Sequence, residues 1–198
     1  MTGWITDWSG GVPDGWASWE PGQAVGSAEG VAERLADGDA ARERVRAAVL
    51  GIDADLPLER ALLSAAVWVP DPSSGEPLAM LLAELAIPTE RGVPVGFEGY
   101  LRAAAAPPPW RFGRKVFEHS VTTVEVPVGR AVLERLVMAE RREPVTTAVT
   151  FTIFPDGTDE AIRLTLSSLV PAAADVLLEQ GHSMAEAVTA TIEPGERP

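Results

Sequence analysis

The chain of 198 residues contains no cysteine. Without thiols it has no disulfides, no thiolate zinc sites, no iron–sulfur clusters and no cysteine nucleophile. No stretch approaches the roughly 18 uninterrupted apolar residues that a membrane-spanning helix needs. The first residues also lack the basic and apolar segments of a secretory signal. By elimination, we expect a cytoplasmic protein.

Positive charge is scarce as well, because 16 Lys and Arg stand against 29 Asp and Glu, for a net charge of -13. Such a surface repels the phosphates of nucleic acids and the anionic lipids of membranes. We therefore expect neither as a partner. The charge suits a basic protein partner, although solubility alone also explains it. Lys115 is the single lysine, and this preference for arginine is typical of a high-GC bacterium such as an actinobacterium.

The residues that usually carry chemistry are few and scattered. Only two histidines occur, His119 and His182, and neither belongs to a spacing that would place two metal ligands on one helix face. We interpret both as structural or solvent-exposed. The glycine patterns of phosphate loops, dinucleotide folds and serine hydrolases are missing. The sequence thus predicts no catalytic residue, no cofactor and no metal site.

Carboxylates occur in two small groups. Asp53 and Asp55 resemble the start of a calcium loop, but the glycine and the final glutamate of such a loop are missing. We interpret them as the end of a helix. Asp156, Asp159 and Glu160 crowd a predicted turn, where solvated carboxylates are the usual case.

Tryptophans are concentrated near the N-terminus, where four of the six lie within the first 26 residues. These four are Trp4, Trp8, Trp16 and Trp19. Glycine and proline between them break regular structure. We therefore predict an N-terminal arm of residues 1–26 and a single α+β domain of residues 27–198. The large rings favour packing of the arm onto the domain; as the alternative, they form an exposed patch that contacts a partner.

The next part of the chain predicts helices and then a hairpin. Apolar residues recur at helical spacing over residues 27–50, where Gly38 should split the stretch and Gly51 should end it. Two apolar runs follow, residues 61–69 and 78–87, bounded by prolines. They predict an antiparallel hairpin, although the second run has a high helix propensity.

The C-terminal half shows clearer patterns. We predict a short helix over residues 97–105, a strand over 116–126, and a strand or a helix over 131–139. Residues 145–166 alternate apolar and polar side chains around a central turn and predict a hairpin.

A final helix is expected to cover the sheet. Apolar residues recur three and four positions apart over residues 170–192, which indicates a helix packed on a sheet. Gly181 lies on this apolar stripe and would allow a close approach.

The segment of residues 124–132, the hairpin of residues 145–166 and the segment of residues 166–171 together resemble the PsbP-like superfamily. This superfamily includes the Ran-binding Mog-type proteins and the mycobacterial LpqN-type lipoproteins. The resemblance covers residues 116–192, which is under half of the chain. It implies an antiparallel sheet covered by helices on one face, in a non-enzymatic scaffold that binds proteins or small molecules. No functional residue carries over.

Two functions fit these observations. We favour a non-enzymatic protein-binding module, an adaptor, chaperone or immunity-type protein of a bacterial secretion or toxin system, which contacts another protein through an open sheet face or the tryptophan-bearing arm. The alternative is a small-molecule-binding protein or an enzyme with a pocket between sheet and helices. In that pocket His119 and nearby carboxylates would be the polar groups.

Overall fold

The computed structural model describes residues 3–57, 60–90, 92–108, 113–140 and 143–195. The strands are β1 Gly3–Ser9, β2 Trp16–Trp19, β3 Leu62–Trp68, β4 Ala79–Ala86, β5 Thr89–Glu90, β6 Val93–Pro94, β7 Lys115–Val126, β8 Gly129–Ala139, β9 Thr146–Pro155, β10 Ala161–Ser168 and β11 Thr189–Pro194. The helices are α1 Ala24–Leu35, α2 Asp39–Ala54, α3 Gly96–Ala104 and α4 Ala174–Glu186, with a 3₁₀ turn at Pro171–Ala173. These elements confirm the predicted α+β class with antiparallel strands.

The chain divides into two compact units. The smaller unit is Val12–Glu84, and the larger unit consists of Met1–Gly11 and Leu85–Pro198. The first 26 residues therefore contribute β1 to the larger unit and β2 to the smaller one. The sequence analysis predicted a different division, with an arm of residues 1–26 and a domain of residues 27–198. That division stays a prediction.

The smaller unit places α1 and α2 against an antiparallel sheet of β2, β3 and β4. The predicted hairpin is confirmed, since β3 and β4 pair antiparallel. Burial in the sheet outweighs the helix propensity of β4. The apolar core includes Ala17, Trp19, Val31, Leu35, Val45, Val49, Ala65, Val67 and Val69. Each fully buried Val or Leu side chain in it contributes about 1.5–3 kcal/mol.

The two helices of this unit separate where the sequence predicts. Gly38 has a φ of 83°, in the left-handed region that glycine adopts without steric cost, so the chain turns between α1 and α2. The prediction that Gly51 ends the second helix is wrong, because α2 continues to Ala54. An exposed glycine inside a helix costs only about 1 kcal/mol, which the buried Val45 and Val49 of α2 offset.

Asp53, near the end of α2, holds the turn between β2 and α1. Its Oδ1 accepts hydrogen bonds from the indole Nε1 of Trp19 and from the backbone N–H of Gly22, both at 2.9 Å. Its Oδ2 accepts a third, at 3.3 Å, from the N–H of Ala24, the first residue of α1. Asp53 belongs to α2 but caps the N-terminus of α1, as an N-cap side chain would. It also accepts the indole N–H of Trp19, which is buried. The interpretation of Asp53 as merely the end of a helix missed this role.

The larger unit contains a four-stranded antiparallel sheet in the order β10-β9-β8-β7. Strands β9 and β10 confirm the predicted hairpin, and residues 131–139, predicted as strand or helix, form most of the strand β8. A separate antiparallel ribbon consists of β1 and β11.

The ribbon is tied to the turn between β9 and β10. The buried carboxylate of Glu160 accepts a 2.8 Å hydrogen bond from the N–H of Ile5. The backbone N–H of Gly3 donates a 2.8 Å hydrogen bond to the carbonyl of Gly157 in this turn. The carbonyl of Gly3 accepts a 2.7 Å hydrogen bond from Oγ1 of Thr158. The expectation of a solvated carboxylate is therefore wrong for Glu160.

Helix α4 covers one face of the four-stranded sheet. A Cβ atom on Gly181 would lie 2.6 Å from Cε2 of Phe151 on β9, so the predicted close approach is confirmed. The predicted extension of this helix to residue 192 is wrong, because α4 ends at Glu186 and Ile192 lies in β11. Pairing of β11 with β1 satisfies the backbone there instead. Helix α3 lies on the opposite face, so helices meet both faces rather than one.

Replacing Asp53 by Ala should lower the free energy of unfolding by about 3 kcal/mol, because a buried indole N–H and two backbone donors lose a charged acceptor. Urea unfolding followed by circular dichroism measures the change. Asp55→Ala, at an exposed position two residues away, is the control and should change stability by about 0.5 kcal/mol or less. Equal effects of the two substitutions would contradict this role of Asp53.

Glycine-to-alanine substitutions at two helical positions should have opposite signs. Gly181→Ala should destabilise by about 1–3 kcal/mol, because the methyl group would overlap Phe151. Gly30→Ala, where the space around the glycine is open, should stabilise by about 0.5–1 kcal/mol through helix propensity. Urea midpoints of the two variants test the pair, and a stabilised Gly181→Ala protein would refute the close packing of α4.

Candidate functional site

The side of the four-stranded sheet opposite α4, which we call the open face, carries many polar side chains. Successive residues of a strand point to opposite faces, and the registers of β7, β8, β9 and β10 align the residues of one face in rows. The polar members of the open face include His119, Thr123, Glu125, Arg130, Glu134, Thr146, Thr150, Thr152, Arg163, Thr165 and Ser167. A face of this composition meets water or a ligand more readily than an apolar core.

Helix α3 brings Tyr100, the single tyrosine of the chain, against the open face. The Tyr100 hydroxyl donates a 2.5 Å hydrogen bond to Oε1 of Glu134 on β8. It accepts a 3.1 Å bond from Oγ1 of Thr152 on β9. Burial, and after it the hydrogen bond to Glu134, raises the pKa of Tyr100 above its usual 10.0. The phenol is therefore a neutral, fixed donor at physiological pH.

A groove of about 410 Å³ lies between the open face and the end of α3 with the segment that follows it. The sheet supplies its floor, which consists of His119, Glu134, Leu136, Ala148 and Thr150. The helix end supplies its wall, which consists of Ala103, Ala104, Ala106, Pro107 and Pro108. Since the side chains of the wall are apolar, the polar side chains of the groove all come from the floor, as in many ligand sites.

Glu134 is the charged group of this floor. Its Oε1 accepts the bond from Tyr100, and among the described residues Oε2 makes no hydrogen bond. With the residues that the structure describes, Glu134 also forms no ion pair. Thr150 lies directly opposite it on β9. The groove thus offers a carboxylate oxygen, beside a hydroxyl, that is available to a cationic donor.

A second cavity, of about 330 Å³, lies at the turn between β9 and β10. Arg130 lies over the Phe97 ring, 4.0 Å from its centroid. The guanidinium also pairs with Glu98 at 3.1 Å. Both ionic side chains are largely exposed, so their pairing contributes about 1 kcal/mol or less. Because Arg130 already has these two partners, the groove at Glu134 is the stronger candidate site.

The structure separates the tryptophans that the sequence analysis proposed as partner contacts. Trp16 and Trp19 are buried at 2% and 4% exposure, and Trp16 stacks on Trp68 with centroids 6.3 Å apart. These two rings pack inside the protein, as the stapling interpretation expects. Trp4 and Trp8 are half-buried in β1, and their contact with a partner stays a prediction.

The two histidines lie at different places. His119, on β7, lines the groove, as the pocket alternative expects. His182, on α4, packs edge-to-face against Phe151 with ring centroids 5.0 Å apart. Over the described ranges, no group of three or more His, Asp or Glu side chains is placed to hold a metal ion.

Sequence reasoning missed Tyr100, Glu134 and Thr152 as members of one site. They lie on three elements, and Tyr100 is 34 positions from Glu134 and 52 positions from Thr152 in the sequence, so no short motif connects them. One signal was available, because the single tyrosine lies in a predicted helix, while the segment of residues 131–139 places Glu134 between the apolar Val132 and Leu136 at strand spacing.

No family model matches the chain, and no curated protein matches it. A solved structure to which the chain is similar is the crystal structure of LpqN, involved in cell envelope biogenesis of Mycobacterium tuberculosis. The TM-score is 0.43 at 12% identity, over 93% of this chain and 83% of LpqN. A likeness this distant neither places the chain in a family nor indicates what it does, so membership of the PsbP-like superfamily stays a prediction.

Where the structure describes helices, none is both long and apolar enough to cross a bilayer. The cytoplasmic location and the actinobacterial source proposed from the sequence stay predictions.

Ultraviolet titration of the single tyrosine tests the hydrogen-bonded chain at the site. In the wild type, tyrosinate should appear with a midpoint above pH 10.0. Glu134→Gln should lower that midpoint but leave it above 10.0, because burial is the larger cause of the shift. Glu118→Gln, on the other face of the sheet, is the control and should leave it unchanged. An unchanged midpoint in Glu134→Gln would show that the carboxylate does not act on the phenol.

The raised pKa of Tyr100 makes the free energy of unfolding depend on pH in the alkaline range. The contribution of the neutral phenol to stability is fully present below pH 10.0, the usual pKa. It is lost as the pH rises through the raised pKa of the folded state. Tyr100→Phe should therefore remove this alkaline part of the stability loss.

Proposed function

We propose that this chain is a non-enzymatic protein-binding module, which takes an extended basic segment of its partner along the outer edge of β7. The observation that carries the proposal is the place of β7 at the end of its sheet. Among the described strands, β8 is the neighbour with which it pairs. An edge strand presents backbone N–H and C=O groups that an added strand can bind.

The length and exposure of β7 support this use. The strand has 12 residues, about twice the usual length of a strand, and most of them are exposed. Its apolar residues Val116 and Phe117 remain 38% and 52% exposed. Phe117 lies at an irregularity of the register between Val116 and Glu118. Exposed apolar side chains on a strand at the edge of the described sheet suit the contact surface of another protein.

Charge supports a basic partner over other classes. The net charge of -13 attracts a cationic segment at long range and speeds its association. On β7 itself the exposed Glu118 and Glu125 outnumber the single cation, Lys115. Glu118 also pairs with Arg135 of β8 at 3.4 Å. A chain with the opposite charge would therefore meet β7 more readily than another acidic surface would.

The absence of catalysis is part of the proposal, and the arrangement of Tyr100 supports it. Glu134 and Thr152 hydrogen-bond to the same phenol oxygen and fix α3 on the sheet. Burial and, after it, the hydrogen bond to Glu134 raise the pKa of Tyr100, and structural networks perturb pKa values in this way without any reaction.

A second candidate function, binding of a small molecule, has one specific observation in its favour. The groove of about 410 Å³ is within the size range of ligand pockets, and His119 and Glu134 supply polar groups there. A small molecule in the groove would contact side chains of the open face and leave the outer backbone edge of β7 free.

Hydrogen exchange distinguishes the two functions. The probe is a pool of peptides of 12 residues, the length of β7, with arginine near the centre and valine and threonine varied elsewhere. We expect the pool to slow amide exchange within residues 115–126, because an added strand hydrogen-bonds their outward N–H groups. Unchanged exchange there, at peptide concentrations up to about 1 mM, would reject the proposed function.

Two methylated versions of the best-binding peptide provide the control. Neighbouring N–H groups of a strand point to opposite edges, so N-methylation of alternate residues blocks one edge only. One methylated version should lose binding and the other should keep it. Equal binding of both versions would show that the peptide does not join the sheet.

A further inference from the structure

We infer that the groove beside β7 binds the guanidinium of an arginine carried by the partner segment, with Glu134 as its acceptor. This inference rests on the proposed function, and it adds the chemical class that the site selects. It is carried by three features of the groove: its distance from the edge of the sheet, the apolar character of its wall, and the carboxylate at its floor.

The position of the groove fits a long side chain that comes from an added strand. His119 of β7 forms its outer rim, and Glu134 lies one strand further in, on β8. A strand added to β7 would lie about 10 Å from β8, which is two strand spacings. Arginine and lysine, with long alkyl stems and a charged end, match this distance, whereas short side chains do not.

The wall suits the stem of such a side chain. Ala103, Ala104, Ala106, Pro107 and Pro108 offer only apolar side chains. On the floor, Leu136 and Ala148 add apolar surface beside Glu134. An alkyl stem can bury against this surface while its polar end reaches the carboxylate.

The floor suits a cation, and a planar one in particular. The Tyr100 hydroxyl donates a 2.5 Å hydrogen bond to Oε1 of Glu134, and this bond holds the carboxylate in one orientation. Oε2 and the hydroxyl of Thr150, which lies opposite Glu134 in the register and lines the same groove, are then acceptors on two neighbouring strands. A guanidinium presents its N–H groups in a fixed fork that can bond both, and it is more weakly hydrated than an ammonium. We therefore assign arginine rather than lysine.

The test compares four peptides of one sequence, the best binder of the pool, that carry arginine, lysine, glutamine or glutamate at the central position. Fluorescence anisotropy gives their affinities for the wild-type protein and for Glu134→Gln. We expect the wild type to prefer the arginine peptide to the glutamine peptide at least about tenfold. Glu134→Gln should remove this preference while both peptides still bind. Glu179→Gln, at an exposed position of α4 on the other side of the sheet, should retain it.

The outcomes separate this inference from the proposed function. If arginine and glutamine peptides bind equally well and still protect residues 115–126 from exchange, the inference is wrong and the proposed function stands. Equal affinity for lysine would overturn the assignment of arginine. If the isolated compound acetyl-arginine amide binds as tightly as the arginine peptide, the groove serves a free small cation, and the partner segment is wrong. Circular dichroism of Glu134→Gln verifies that the variant is folded.

Discussion

The contact between Gly181 and Phe151 determines how the larger unit uses its sheet. Because glycine has no side chain, α4 approaches β9 so closely that even a Cβ atom would overlap the Phe151 ring. This contact places the apolar row of β9 in the core under α4. The alternation of a strand then turns the intervening residues, Thr150 and Thr152, to the open face. The polar site therefore depends on apolar packing on the other side of the same strand.

The open face remains partly accessible because the element on it is short. Helix α3 has nine residues and none of them is fully buried. Tyr100 attaches it to the sheet through Glu134 and Thr152. The helix ends in two alanines, and further alanines and prolines follow it. Small side chains and prolines of this segment leave the groove between themselves and the strands. A longer helix with larger apolar side chains would close this space and turn the face into a second core.

Local patterns in the sequence were sufficient for most elements but not for their long-range partners. The alternation over residues 145–166 and the glycine at 38 are local signals, and both gave the correct elements. The helical spacing over residues 170–192 continues past the end of α4, because only pairing with β1, far away in the sequence, turns its last part into a strand. Glu160 and Asp53 were misjudged for the same reason, since their partners Ile5 and Trp19 lie 155 and 34 residues away. The groove joins α3 to three strands, and no periodicity within one element encodes that meeting.

The negative charge of the chain opposes the self-association that the long, exposed edge of β7 would otherwise favour. An exposed edge strand can pair with a second copy of the same chain as readily as with a partner, and natural proteins place charges on such edges to prevent it. Two copies that each carry a net charge of -13 repel one another, and Glu118 and Glu125 bring part of that charge to the edge itself. A basic segment meets attraction at the same edge. The acidic composition, which the sequence alone could explain by solubility, thus acts in the proposed function as the element that selects a basic partner over self-association.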